Sequence, residues 1–283
     1  VIGGAVFVSS NYTEITNNKF SGNIANSSGG AIRLEGHNDK ISDNIFDNNK
    51  CLLKLGGAVC ALGHNIYLIN NNFTNNYAGR DGGGALVQGP GEDDCGMNFV
   101  INNSFINNRA SFGGGLGIKA VNATVSGNYF SNNRVYINYN NDKWVGLGGA
   151  IRVAGNETLT GIIINNVFED SSADTSGGTI YVNGNRTTVT QNTFKNSFAR
   201  DVAGGTININ GSYTVISKNT FTNSSVGEIG GFLFLNGDHI DVIDNTFSNS
   251  KSVDSGGAVH LTGEESTVIN NVFINCTAGL LGG

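Results

Sequence analysis

A phenylalanine recurs ten times in this chain of 283 residues, at Phe20, Phe46, Phe73, Phe105, Phe130, Phe168, Phe194, Phe221, Phe247 and Phe273. Two residues before each stands an asparagine: Asn18, Asn44, Asn71, Asn103, Asn128, Asn166, Asn192, Asn219, Asn245 and Asn271. Five residues before each stands an aliphatic: Ile15, Ile41, Leu68, Val100, Val125, Ile163, Val189, Ile216, Val242 and Val268. A Gly-Gly pair punctuates the repeat, beginning at Gly3, Gly29, Gly56, Gly83, Gly114, Gly148, Gly177, Gly204, Gly230, Gly256 and Gly282. The spacings are 26, 27, 27, 31, 34, 29, 27, 26, 26 and 26. A period of this size is one structural repeat, too short to bury its own apolar face, so the repeats must stack.

The segment after each Gly-Gly alternates with period two, which is the signature of a strand. Its inward positions are Val6 and Val8, Ile32 and Leu34, Val59 and Ala61, Leu116 and Ile118, and Ile151 and Val153, continuing to Val259 and Leu261. Its outward positions are Arg33, Cys60, Val87, Gly117, Arg152, Tyr181, Asn208, Phe234 and His260. Glycines such as Gly36, Gly63, Gly184 and Gly237 close the strand, as expected for turns of unusual backbone angle. Gly-Gly and β-branched residues in every repeat disfavour a helical solenoid. The expectation is all-β: a single-domain, right-handed parallel β-helix over 1–283, with about ten coils of 26–27 residues. At ~4.8 Å per coil it makes a rod of roughly 50 Å. Asn stacked on Asn then bonds side chain to side chain along the rod, and Asn also tolerates the left-handed conformation of a sharp corner.

Composition agrees with a polar but weakly charged exterior. Charged residues are 13%, against 44 Asn and 42 Gly. The net charge is −6 and no basic patch stands out along the sequence, so nucleic acid is not the expected partner. No apolar run approaches the ~18–20 residues of a membrane span. The chain opens at Val1 and stops at Gly282–Gly283 in mid-repeat, as expected for a fragment of a longer surface protein.

With these residues in view, the chain resembles the adhesin-like surface proteins of methanogenic archaea. The segments 218–225 (KNTFTNSS) and 70–76 (NNNFTNN) are in that style. It is also similar to the passenger domains of chlamydial polymorphic outer-membrane proteins, which repeat Gly-Gly-Ala-aliphatic and Phe-x-x-Asn. Phe-x-x-Asn holds here at Asn23, Asn49, Asn76, Asn108 and Asn133, then lapses to Ser or Cys. The resemblance implies a non-catalytic adhesin or stalk segment, an extracellular cell-surface glycoprotein. Its partners are then glycans or proteins of another cell, or further copies of itself. The fold is shared with pectate lyases, so a polysaccharide lyase or hydrolase is the first alternative. A filament or sheath subunit is the second.

A β-helical lyase or hydrolase needs a strip of carboxylates on neighbouring coils. The outward positions above contain none. Glu92, Asp93 and Asp94 form an acidic cluster with two readings, a Ca²⁺ site or a solvated loop; no other cofactor is expected. Asp238, His239 and Asp241 read as a polar surface patch, and His37 and His64 as stacked corner residues. Cys51 and Cys276 are placed in the small inward column of Ala25, Ala78, Ala110, Ala173, Ala199 and Ala278, and Cys60 is paired with Cys95 as a candidate disulfide. Sequons stand at Asn11, Asn26, Asn72, Asn102, Asn122, Asn156, Asn185, Asn210, Asn223 and Asn275.

Insertions break the repeat near 90–96, 136–144 and 156–160, and insertions are where recognition is free to evolve. The second carries Tyr136, Tyr139, Asp142 and Trp144, either a binding surface or a loop that packs onto the rod. A further candidate is the outward aromatic pair Phe232 and Phe234 beside Tyr181.

Overall fold

The computed structural model describes residues 2–89, 96–119, 122–136, 146–155 and 161–282. All strands pair in parallel, each coil with the next, in a parallel β-helix of about ten turns. The first face is a ten-stranded sheet from Val6–Val8 to Val259–Thr262. The second is a ten-stranded sheet from Glu14–Thr16 to Thr267–Ile269. The third has sixteen strands, because its early coils contribute two short strands each and its last four coils one strand of seven residues, such as Thr193–Ala199.

The phenylalanines form one interior file. Every consecutive pair is stacked, with ring centroids 4.7–5.1 Å apart and interplanar angles of 14° or less. Ring spacing thus follows strand spacing, which keeps each ring in van der Waals contact with two others. The aliphatics fill the column beside them, buried from Ile15 to Val242. Val268 and Phe273, in the last coil, are about half exposed (49% and 47%).

The asparagine column is a continuous amide ladder. Each Nδ2 donates to the Oδ1 of the next coil's Asn at 3.0–3.2 Å. Asn44 illustrates the complete set. Its Nδ2 also donates to the carbonyls of Ile15 and Ser42, and its Oδ1 accepts from the backbone and side chain of Asn18. A buried amide this well partnered costs little to desolvate and ties three strands together. The left-handed backbone falls one residue earlier than expected, at Asn17, Asn70, Asn102 and their equivalents (φ near 55°), not at the ladder asparagine. A second ladder, Asn23–Asn49–Asn76–Asn108–Asn133, holds the third-face corner in the first five coils. The hydroxyl of Ser171, the first serine to replace the Asn, has no hydrogen-bond partner and its coil keeps two short strands; in the next two coils Ser197 meets Thr179 (2.7 Å) and Ser224 meets Thr206 (3.0 Å) across the interior, and the two short strands merge.

Four expectations need correction. The left-handed glycine opening coils four and five is Gly82 or Gly113 (φ 68° and 57°), one residue before the expected start. Val87 therefore points inward, paired with Ala61 and Ile118, and Leu86 takes the outward position between Cys60 and Gly117. Phe232 is fully buried and packs tilted against Phe221 and Phe247. Cys276 pairs with Ser250, in the column that continues the second asparagine ladder; Ala278 holds the small-residue position, and Cys51 is buried as expected. Of the turn glycines, Gly184 and Gly237 have positive φ, but Gly36 and Gly63 do not. A Cβ at Gly63 would lie 1.9 Å from the Gly36 carbonyl oxygen, so closeness of stacked backbone selects glycine there.

Phe130→Ala removes a ring packed on both sides and is expected to cost about 3–5 kcal/mol. Phe273→Ala, at a half-exposed site, costs markedly less; denaturant unfolding of both variants checks the column.

Asp39 offers a second test. It is fully buried; Oδ1 accepts the Thr13 amide at 2.6 Å and Oδ2 has no partner. Burial raises its pKa, outweighing the Thr13 hydrogen bonds and the nearby His37, which lower it. A raised folded-state pKa stabilises the fold below the unfolded carboxylate's pKa and loses that stability as pH rises through the folded value. Asp39→Asn is expected to raise the melting temperature at neutral pH and to flatten this part of the pH profile.

Candidate functional site

On the third face, two-residue strands alternate in a simple way. Cys51, Ala78, Ala110 and Val135 point into the core, so their predecessors Lys50, Tyr77, Arg109 and Arg134 point out. Backbone pairing sets these four in register on successive coils. Cations thus line one column, at ~4.8 Å per coil. Before it stands Ile24 and after it Ser172, so the basic run belongs to coils two to five.

Neighbouring positions turn this column into a groove of about 620 Å³, lined by Lys50, Leu52, Asn75, Asn76, Tyr77, Asn107, Arg109 and Asn132. Gly79 follows Tyr77 at two residues' distance and Ser111 follows Arg109, so no large side chain fills the space there. In the next coil the same offset brings Tyr136, whose ring stacks back on Tyr77 (centroids 6.3 Å, interplanar 17°). Burial, then the hydrogen bond to Tyr77, raises the Tyr136 hydroxyl's pKa, so it stays protonated. The amides of Asn75, Asn107 and Asn132 edge the groove, and Arg134 donates through Nε to Asn132 Oδ1 at 3.0 Å.

Charge balance distinguishes this groove from the other cationic cluster. On the first face, Asp81 (side chain 1% exposed) accepts Lys119 Nζ at 2.8 Å and Arg152 Nη1 at 2.6 Å, with Arg80 Nε at 3.4 Å. Arg152 also lies 4.6 Å over the Phe112 ring. That cluster is already knotted around its own carboxylate. Lys50, Arg109 and Arg134 form no ion pair among the described residues, and no described residue lining the groove is a carboxylate. Nearby Glu169 is held by Tyr129 Oη (2.9 Å) and Lys195 (3.1 Å), which lower its pKa.

The other sequence candidates are dispersed. Tyr139, Asp142 and Trp144, the acidic Glu92, Asp93 and Asp94, and the sequon at Asn156 lie outside the described residues. Tyr181 and Phe234 are outward on the first face but separated by Asn208, and Phe234 stacks on His260 at 5.4 Å. His37 and His64 stack at 3.9 Å. His239 stacks on Tyr213 at 4.7 Å and meets Glu265 at 3.1 Å. Of the described sequons, Asn11, Asn26, Asn72, Asn102, Asn223 and Asn275 are exposed, and Asn122, Asn185 and Asn210 half-buried. Among the described residues no three His, Cys, Asp or Glu come together as a metal site, and no helix is long and apolar enough to cross a membrane.

Cys60 is outward in register yet fully buried, a free thiol 3.3 Å from Arg33 Nη1; Cys95 lies outside the described residues. Burial pushes its pKa up to about 12 despite Arg33. The chain matches no protein-family model, no curated protein and no solved structure. Iodoacetamide at mildly alkaline pH is expected to leave Cys51 and Cys60 unmodified in the folded protein and to label both after denaturation without reductant. Peptide mass mapping checks this, and an oxidised Cys60 would contradict the free thiol.

Proposed function

We propose that this chain is a non-catalytic segment of an extracellular, cell-surface adhesin, a rod that presents a binding flank to glycans or proteins of another cell. One observation carries the reading: the groove described above is lined by Lys50, Arg109, asparagine amides, Tyr77 and Leu52, the chemistry of recognition, with no carboxylate, histidine or cysteine among its described lining residues for acid–base or nucleophilic work. The uninterrupted interior columns support it as well. They leave the inside of the coils to stability and the outside to contact. The Gly-Gly and Phe-x-x-Asn pattern, similar to that of archaeal and chlamydial surface proteins, supports the extracellular placement.

The competing lyase or hydrolase reading makes a distinct demand. Incubation with acidic and neutral polysaccharides is expected to release neither reducing ends nor unsaturated product. Turnover that disappears on replacing a single carboxylate by its amide would overturn the adhesin reading. Beads coated with the chain are expected to attach to glycan-bearing cells and to lose attachment after enzymatic deglycosylation of those cells. Electron microscopy of the purified chain separates single rods from filaments.

A further inference from the structure

We propose that the groove between Lys50 and Arg134 binds an extended acidic polysaccharide. Its anionic groups lie on Lys50, Arg109 and Arg134, and a pyranose ring packs against the Tyr77–Tyr136 pair. The inference rests on the adhesin reading and names the ligand class of its groove.

Three features converge. The cations have no carboxylate partner among the described residues, although the chain as a whole is acidic. Two guanidinium groups stand on successive coils, and a guanidinium forks onto a carboxylate or sulfate with two parallel hydrogen bonds. Lys50 lies two coils before Arg109, so the positive groups form a line along the rod axis, suited to a polymer with recurring charge rather than to one small anion. Tyrosine rings offer flat faces to the C–H face of a sugar; Asn132 is engaged by Asn107 and Arg134, and Asn75 donates to Asp47, which leaves Asn75 Oδ1 to accept from hydroxyls and Asn107 Nδ2 to donate to them. A bare polyanion uses only the cations. A saccharide uses all three classes of group.

The test is binding to the immobilised full chain of hyaluronan, which carries carboxylates, and dextran sulfate, which carries sulfates. Carboxyl-reduced hyaluronan, dextran, polyglutamate and single-stranded DNA are the comparisons. Hyaluronan or dextran sulfate is expected to bind in a salt-sensitive way, and the tighter of the two identifies carboxylate or sulfate as the anion. The neutral polymers are expected not to bind. The double substitution Arg109→Gln and Arg134→Gln is expected to weaken binding about tenfold or more, and Tyr136→Ala to weaken it without changing its salt dependence. An unchanged melting temperature in both variants shows that the rod is intact; if either one shifts it, the single substitution Lys50→Gln is measured instead. Three results overturn the proposal: neither acidic polysaccharide binds, the variants bind as the parent does, or polyglutamate or DNA binds as tightly as the saccharides. Release of unsaturated product during the same incubations would sink the non-catalytic reading while leaving the binding result in place.

Discussion

Parallel, in-register pairing of each coil with the next is the constraint on which everything else in this molecule depends. Register carries every side chain onto its equivalent one coil away, so an interior position accepts only a residue able to pack against itself at strand spacing. Phenylalanine does so by stacking, and aliphatics by interdigitating. Asparagine does so because an amide is at once donor and acceptor along the stack. The same rule explains the corner glycines. At Gly114 a Cβ would lie 2.3 Å from the Gly149 carbonyl oxygen and 2.6 Å from that of Arg134, which no rotamer relieves.

This self-pairing is why the interior was legible in the sequence. A column imposes the same chemistry at every repeat, so the ten phenylalanines and ten asparagines announce their own alignment. Sequence and structure part where a column has no side chain to announce it. Gly82–Gly84 and Gly113–Gly115 are runs of three glycines, and nothing in the run marks which one is left-handed; counting from the second glycine turns Val87 to the wrong face. Phe232 departs from the alternation for another reason. At that corner two successive amides, Phe232 and Leu233, donate to the single carbonyl of Ala258, and the same pairing recurs in other coils (Ala31 and Ile32 to Ala58, Ala150 and Ile151 to Thr179), so two consecutive side chains turn inward and Phe232 stands in the buried column of Ala31, Ala58 and Ala150. Strict alternation cannot anticipate it.

The groove was only partly legible, through Tyr136. Its cations and Tyr77 stand four residues after Phe46, Phe73, Phe105 and Phe130, a position that holds Ile24, Ser172, Phe198 and Ser225 in other coils. Nothing about stacking forces that position to vary or to repeat, so it carries no periodic signal. Lys50, Arg109 and Arg134 are far apart in the chain, and no basic patch is visible until the coils are superimposed. The signal is present once the phenylalanine is used as origin and each outward column is read for charge.

A cationic column on an acidic rod raises a question of sign, since a net charge of −6 repels a polyanion at long range. Distance settles it. The Debye length is ~8 Å at physiological ionic strength, under two coil spacings, so carboxylates several coils away are largely screened at the groove. Within that radius Lys50, Arg109 and Arg134 outnumber the one described carboxylate bonded to a lining residue, Asp47, which accepts Asn75 Nδ2 at 3.3 Å. Asp81, the buried acid of the first face, is already matched by Lys119 and Arg152. The rod can therefore be acidic enough to stay soluble while a few coils of one flank attract anions. Binding localised in this way tolerates change elsewhere along the stack, because each outer column is fixed by its own coils and not by the whole.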